Sequence, residues 1–237
     1  MKVLFLSPPL TTEEVYGIFA KAGAYQPFLG LCYLASVLRK KGHHICIIDP
    51  LAKKLTIDDI LEELKAFNPH VVGITAATVS YLRAKTLAER VKETFPGMKI
   101  IIGGPHLLGF AEETMKEECF DFGVVGEGEL TVPELIETLE GGVNGFEQID
   151  GLVFKNKDGR IHRTPPRKYI KDLDTIPFPS RDLLPPLDIY RPAAAYYKRT
   201  PVTHMFTSRG CPCQCIFCET PFGKVVRYHS PDYVVGK

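Results

Sequence analysis

Four cysteines fall within eight positions near the end of the 237-residue chain, in the run Cys211-Pro-Cys213-Gln-Cys215-Ile-Phe-Cys218, preceded by Thr207-Ser208-Arg209-Gly210. Taken as Cys-x3-Cys-x2-Cys, Cys211, Cys215 and Cys218 put three thiolates on one tight loop, close enough to bind irons of a single cubane cluster. A [4Fe-4S] cluster has four irons and is usually held by four cysteines, so three ligands leave one iron open to a small molecule. Cys213 adds a fourth thiol inside the loop. A zinc site or a dithiol redox pair would use the same residues, and Cys215-x2-Cys218 suits either. Zinc normally needs a second pair of Cys or His, for which only His204 and His229 lie near. Which thiols bind is read from spacing alone, and the cluster is the favoured reading.

Composition narrows what surrounds this loop. Hydrophobic residues make up 45% and charged residues 24% of the chain, as in ordinary folded, soluble proteins. A net charge of +1 predicts no broad attraction to nucleic acid or to an anionic membrane. No apolar run approaches the roughly eighteen residues of a membrane span. The opening Met1-Lys-Val-Leu-Phe-Leu6 is too short, and lacks a cleavage site, for a signal peptide. A cytoplasmic location is expected. The three cysteines outside the loop, Cys32, Cys46 and Cys119, lie in apolar segments and read as small buried hydrophobes rather than as a disulfide framework.

The elements that must carry the loop follow a repeating pattern. Residues 2–6 read as a strand stopped at Ser7-Pro8-Pro9, and a loop rich in small residues follows to about residue 26. A helix over 27–41 has Leu31, Leu34, Ala35 and Leu38 at helical spacing and ends at Gly42. A strand at 44–49 precedes a helix at 57–67, with Thr56 as N-cap. The strand at 71–75 is nearly all apolar, as expected where both faces of a parallel sheet are covered. Then come a helix at 79–95, a strand at 99–102, a helix at 111–118, a strand at 121–125 and a helix at 130–139. Five strands alternating with five helices predict a doubly wound, parallel α/β sheet of the flavodoxin-like type, in which ligands sit beyond the carboxyl ends of the strands.

Those ends carry Ser7-Pro8-Pro9, Thr75-Ala-Ala-Thr78, Gly103-Gly104-Pro105-His106 and Gly126-Glu127-Gly128-Glu129. Consecutive glycines let backbone approach a bulky ligand, and the helix starts that follow offer free N–H groups to an anion. The candidate ligand-contacting residues are therefore Ser7, Thr75, Thr78, Gly103, Gly104, Pro105, His106, Gly126, Glu127 and Gly128. Each loop alone is also ordinary turn chemistry. No Gly-x-Gly-x-x-Gly follows the first strand and no Gly-Lys-Ser/Thr phosphate loop occurs, which counts against the common nucleotide-binding sheets.

The cysteine spacing, with its Ser-Arg-Gly-Cys-Pro and Ile-Phe-Cys flanks, resembles the radical S-adenosylmethionine enzymes. The resemblance implies that Cys211, Cys215 and Cys218 hold a [4Fe-4S] cluster whose open iron chelates S-adenosylmethionine, and that an electron cleaves that cofactor to a 5′-deoxyadenosyl radical. Cys213 departs from the pattern, standing where the family usually has a non-ligand. Together with the cysteines, the glycine loops resemble the cobalamin-binding domain that precedes the barrel in members carrying methylcobalamin. Gly103-Gly104 matches that domain's Gly-Gly pair, and Thr75-x-Ala77 is a degenerate match to its Ser-x-Leu. Its Asp-x-His-x-x-Gly segment is missing, since no histidine lies between Met1 and Lys41. A lower axial imidazole for cobalt thus has no candidate at the usual place, as is common in the radical branch. His106 is a substitute that reads first as a loop histidine at a helix start.

What the resemblance implies for function is methyl transfer to an unactivated carbon or phosphorus, with ring closure or rearrangement as alternatives. It also implies a small-molecule or lipid-like substrate and an electron donor, while the near-neutral charge predicts no nucleic-acid partner. No catalytic side chain is identified. The rival from another class is a non-catalytic cobalamin or nucleotide carrier with a structural metal tail.

Gly141-Gly142 and Asn144-Gly145 mark a boundary that ends the first domain at residue 142. Residues 151–154 and 160–162 flank Asn156-Lys-Asp-Gly159 as a β-hairpin, and with the proline-dense stretch 164–192 they form a connector to about residue 200. Residues 201–237 read as the opening of a β/α barrel: a strand at 202–207, the cysteine loop, and a helix begun by Ser230-Pro231. Only 27 residues run from Cys211 to Lys237, where a barrel takes roughly 200–250. The expectation is a piece of a longer enzyme, inactive by itself, with an exposed cysteine tail.

Overall fold

Short apolar runs buried on both faces form the five expected parallel strands. They are β1 (Lys2–Leu6), β2 (His44–Ile48), β3 (Val71–Thr75), β4 (Lys99–Gly103) and β5 (Phe122–Val124), hydrogen-bonded in the order β2-β1-β3-β4-β5. The computed structural model describes residues 1–142, 145–193 and 197–236. Val143 and Asn144 of the expected boundary, residues 194–196 of the connector, and Lys237 lie outside the described residues.

Side chains alternate across the sheet, and each face has its own core. Val3 and Phe5 pack toward α2 (Leu29–Lys40) and α7 (Gly128–Glu140), whereas Leu4 and Leu6 pack toward α4 (Ile57–Phe67), α5 (Tyr81–Thr94) and α6 (His106–Thr114). Two short helices, α1 (Thr12–Tyr16) and α3 (Pro50–Lys53), sit in the connections after β1 and β2. Local sequence fixes the ends of α4. A capping box between Thr56 and Asp59 opens it, and Asn68 closes it in the left-handed conformation at φ 51°. Cys32 and Cys119 are buried, and burial pushes both thiols up to about 12. Both pack as the small hydrophobes expected of them, whereas Cys46 on β2, expected to be buried with them, is only half-buried.

Four expectations change. The loop before residue 26 contains α1, opened by a Thr11–Glu14 capping box. Helix α6 spans His106–Thr114 rather than 111–118, because Pro105 at φ −58° already begins the turn; inside it Phe110 is non-helical. The hairpin is not detached from the sheet: β6 (Leu152–Lys155) runs antiparallel along β5, and β7 (Ile161–Arg163) continues it, so the sheet has seven strands. Residues 202–207 form no strand. Phe206 instead stacks on Tyr33 at 6.1 Å, and pairing starts one step later, between β8 (Ser208–Arg209) and β9 (Arg227–Tyr228). The chain then reaches α8 (Pro231–Val235), capped by Ser230 as expected.

The proline-rich connector crosses α2 and meets the cysteine segment. Ser180 N–H donates to the Cys32 carbonyl at 3.0 Å, and Arg181 Nη2 donates to the His204 carbonyl at 3.0 Å. Among the described residues no helix is long and apolar enough to cross a membrane.

Candidate cofactor groove and cysteine loop

The carboxyl ends of β3, β4 and β5 and the starts of α2, α6 and α7 converge on a cavity of about 410 Å³. Small residues make its floor. Gly104, at φ +98°, presses so close to the end of β3 that a β-carbon would lie 2.7 Å from the Ala76 carbonyl oxygen and 2.8 Å from Thr75 Oγ1. Ala76 N–H donates to the Gly103 carbonyl at 2.8 Å, and the His106 N–H donates to the Ala76 carbonyl at 3.1 Å, so the two loops form one unit. At Gly103 a β-carbon would meet only ordinary contacts, the nearest 3.7 Å away, and at Gly126 nothing lies within 4 Å. The starts of α2 and α7 carry no side-chain cap, and their residues Phe28, Leu29, Gly30, Glu127 and Gly128 line the cavity, which places the positive end of each helix dipole at its edge.

Of the residues expected from the sequence, Thr75, Gly103, Gly104, Pro105, Gly126, Glu127 and Gly128 line this cavity. Ser7, Thr78 and His106 are not among its lining. Ser7 is buried at the end of β1, and its Oγ has no hydrogen-bond partner among the described residues. Thr78 Oγ1 lies 3.2 Å from His106 Nδ1, and the His106 ring stacks on Tyr81 at 4.0 Å and on Phe110 at 5.1 Å. Burial lowers the His106 pKa, so its neutral form is favoured within an aromatic stack on α5 and α6.

Sequence reasoning missed the opposite wall. Phe28, Gly30 and Leu34 of the α2 region line it, and so do Phe206, Arg209, Pro221 and Phe222, which flank the cysteines on both sides. The Phe28-Leu-Gly30 helix start was a usable signal for the first group. Nothing local marks the second.

The cysteine loop is closed at its base by the β8–β9 ribbon and by the Cys211 N–H donating to the Gly223 carbonyl at 3.0 Å. Gly210 is obligatory there: at φ +101° a β-carbon would collide with the Val225 carbonyl oxygen. Arg209 and Arg227 project from the ribbon onto Glu127 and Glu129 at the start of α7. All four loop cysteines are exposed and unpaired. Cys211, which accepts a hydrogen bond from the Cys213 thiol and adds its own negative charge, raises the Cys213 pKa. Among the described residues no three His, Cys, Asp or Glu side chains converge in a metal-holding arrangement.

The sequence profile of the B12 binding domain matches residues 16–136, just over half of the chain. The chain belongs to the B12-binding domain family. It is 42% identical over 238 residues to an uncharacterized methyltransferase of Pyrococcus horikoshii, covering 99% of this chain and 49% of that protein. It is 27% identical to cytidylyl-2-hydroxyethylphosphonate methyltransferase of Streptomyces wedmorensis (87% and 47% covered) and 31% identical to the anaerobic magnesium-protoporphyrin IX monomethyl ester cyclase of Synechocystis (92% and 42%). The chain thus spans about half the length of the curated relatives it matches. Among solved structures it resembles the cobalamin-dependent S-adenosylmethionine radical enzyme OxsB with aqua-cobalamin and S-adenosylmethionine bound, at TM-score 0.74 and 19% identity over 97% of this chain and 30% of that one. It also resembles the radical S-adenosylmethionine methyltransferase TsrM of Kitasatospora setae, with cobalamin and a [4Fe-4S] cluster bound, at TM-score 0.72 and 18% identity over 99% and 45%. At these identities the structural likeness is one of fold.

The B12-binding region matched by the profile contains the loops at Thr75, Gly103-Gly104 and Gly126–Gly128. Their chemistry fits a corrinoid: a glycine floor open to a bulky ring system and uncapped helix starts that suit an anionic tail. The four thiols fit a cluster by donor type, being exposed, unpaired and confined to one loop.

Proposed function

We propose that this B12-binding chain holds cobalamin in the sheet-edge groove and a [4Fe-4S] cluster on Cys211, Cys215 and Cys218. On this reading it serves a radical S-adenosylmethionine methyltransferase acting on an unactivated carbon or phosphorus. The observation that carries the reading is the shared wall of the groove. Phe206, Arg209, Pro221 and Phe222 line it and flank the four cysteines on both sides in the sequence, so a group in the groove would face the cysteine segment. When bound, the cluster would supply electrons to S-adenosylmethionine, and the corrinoid would carry the methyl group.

The chain's own residues bind, orient and exclude. Gly103, Gly104 and Gly126 let the corrin approach the backbone. The uncapped starts of α2 and α7 receive negatively charged substituents. Phe206 and Phe222 present apolar surface that keeps water from the groove. The methyltransferases among the relatives support this assignment. A second reading, ring closure, is favoured by the 31% identical cyclase. In both, a small-molecule or lipid-like substrate and an external electron donor act with the chain in the cytoplasm.

Anaerobic reconstitution with iron, sulfide and hydroxocobalamin tests the proposal. The expected result is a cubane absorption band and stoichiometric corrinoid, with the band lost and the corrinoid kept in Cys211→Ala. Tight zinc binding with no cluster would overturn it in favour of a carrier with a structural metal tail.

A further inference from the structure

Arg209 and Arg227 are directly opposed partners in the β8–β9 ladder. Like charges facing each other across a ribbon only two residues long repel, and both guanidinium groups are buried or nearly so. Glu127 resolves the conflict with one carboxylate. Its Oε1 lies 3.1 Å from Arg209 Nη1 and its Oε2 lies 3.0 Å from Arg227 Nη1. Glu129 takes the second prong of Arg209, with Oε1 2.5 Å from Nη2. The side chains of Arg209, Glu127, Glu129 and Arg227 are 2%, 2%, 8% and 9% exposed.

Further bonds fix the set. Arg227 Nη1 and Nη2 donate to the carbonyls of Ile170 (2.6 Å) and Phe222 (2.9 Å), and the Ile170 N–H donates to Glu127 Oε2 at 2.9 Å. The Arg209 guanidinium also lies 5.3 Å from the ring centres of both Tyr33 and Phe222. Burial would depress the Arg209 pKa, but the charges and hydrogen bonds of Glu129 and Glu127 more than reverse this and raise it.

The two halves of this neutral cluster belong to different parts of the site. Glu127 and Glu129 alternate with Gly126 and Gly128 in the groove loop. Arg209 and Arg227 sit at the base of the cysteine loop, where they close its two arms. A buried ionic cluster has no cheap, half-paired state, because removing one partner leaves an uncompensated charge. Any shift of the groove loop must therefore carry the ribbon with it or break the ribbon.

We infer that Glu127 and Glu129 are positioning residues that couple the groove to the cysteine loop, so that a corrinoid in the groove and an ordered loop favour each other. This rests on the groove being a corrinoid site. Coupling of this kind is reciprocal: whatever factor the corrinoid contributes to loop order, loop order contributes to corrinoid affinity.

Amide hydrogen exchange of the full chain, without and with hydroxocobalamin, tests the inference. In the unsubstituted protein the corrinoid slows exchange by about fivefold or more in segments 207–211 and 222–229, which contain the Cys211 N–H bond to Gly223 and the His229 N–H bond to Thr207. In the charge-neutral pair Glu129→Gln with Arg209→Gln, which leaves Glu127 paired with Arg227, corrinoid still binds, weaker by the factor that the slowing loses, and that slowing is clearly reduced while strands 2–6 and 99–103 keep their protection. Arg209→Lys is the milder second variant, since a single ammonium cannot bridge both carboxylates in the same fork, and it gives an intermediate slowing. Failure of hydroxocobalamin to bind the unsubstituted chain overturns the groove reading and the coupling with it. Binding without slowing at 207–211 and 222–229 overturns the coupling alone, as does slowing of equal size in the variants. Loss of protection throughout the sheet in Arg209→Lys would make these residues merely structural and overturn the coupling too.

Discussion

Strands β1, β3 and β4 are buried along both faces, with Val3, Leu4, Leu6, Val71, Val72, Ile100 and Ile102 fully removed from solvent, whereas between residues 197 and 236 only Arg209, Gly223 and His229 are buried. The sheet is held by apolar contact, which is non-directional and tolerant of small shifts. The cysteine segment is held by directed polar contacts: the Arg209, Arg227, Glu127 and Glu129 cluster, and His229 Nδ1 at 2.9 Å from Asp174 Oδ1. Four of its large apolar side chains, Ile216, Phe217, Val225 and Tyr228, face solvent, whereas Phe206 packs against the core near Tyr33. A buried ionic cluster contributes little net stability compared with apolar packing but specifies one geometry. The contrast is between a sheet held by bulk apolar contact and a loop base held by a few directed charge pairs.

The largest effect that would sharpen this contrast is Glu127→Ala. It leaves two opposed arginines without their shared carboxylate and costs about 3–5 kcal/mol locally. Limited proteolysis should then cut within 207–229 while the sheet resists, and simultaneous cleavage of the sheet would break the comparison. Leu87→Ala, at a fully buried position of α5, should cost about 2–5 kcal/mol as a global loss seen in chemical denaturation, with the sheet and the segment lost together. Gly104→Ala combines a left-handed backbone with a collision against Ala76 and Thr75, and roughly 2–4 kcal/mol should be lost, together with hydroxocobalamin binding in equilibrium dialysis.

Acid gives a smaller effect. Burial lowers the pKa of His106, so below about pH 6.5 the unfolded chain binds a proton that the folded chain refuses until lower pH. Stability should fall as pH drops from 6.5, with His43 and His204, whose pKa values burial also lowers, adding to the slope, and His106→Gln should reduce the slope of melting temperature against pH in that window. The smallest effect is Cys211→Ala, at an exposed position, which should move the apo protein by no more than about 0.5 kcal/mol in a thermal melt while removing iron uptake on reconstitution.

Legibility in the sequence followed the same division. The parallel strands could be read because burial on two faces produces continuous apolar runs such as Val71–Ile74, and the groove floor could be read because glycine is required where Gly104 adopts a left-handed φ. The hairpin was legible from its Asp-Gly turn, but its pairing with β5 depends on non-local partners, Phe122 with Phe154. The start of α6 was hidden because Gly103-Gly104-Pro105 reads locally as a loop, although Pro105 already opens the helix. His106 has the chemistry of a ligand, yet its ring lies in a stack that only the tertiary structure creates. Least legible were Arg209 and Arg227, whose partners lie 80 to 100 positions away, so that no local pattern could announce the charge cluster.

Gly103 offers the most direct test of the groove. A side chain there meets no close backbone contact and has an ordinary φ, so Gly103→Leu should fold with a melting temperature close to that of the unsubstituted chain while filling space in the cavity. Equilibrium dialysis with hydroxocobalamin should find one corrinoid per chain and a loss of at least about tenfold in affinity, roughly 1.4 kcal/mol, in Gly103→Leu. Equal binding by the two proteins would place the corrinoid elsewhere and contradict the account.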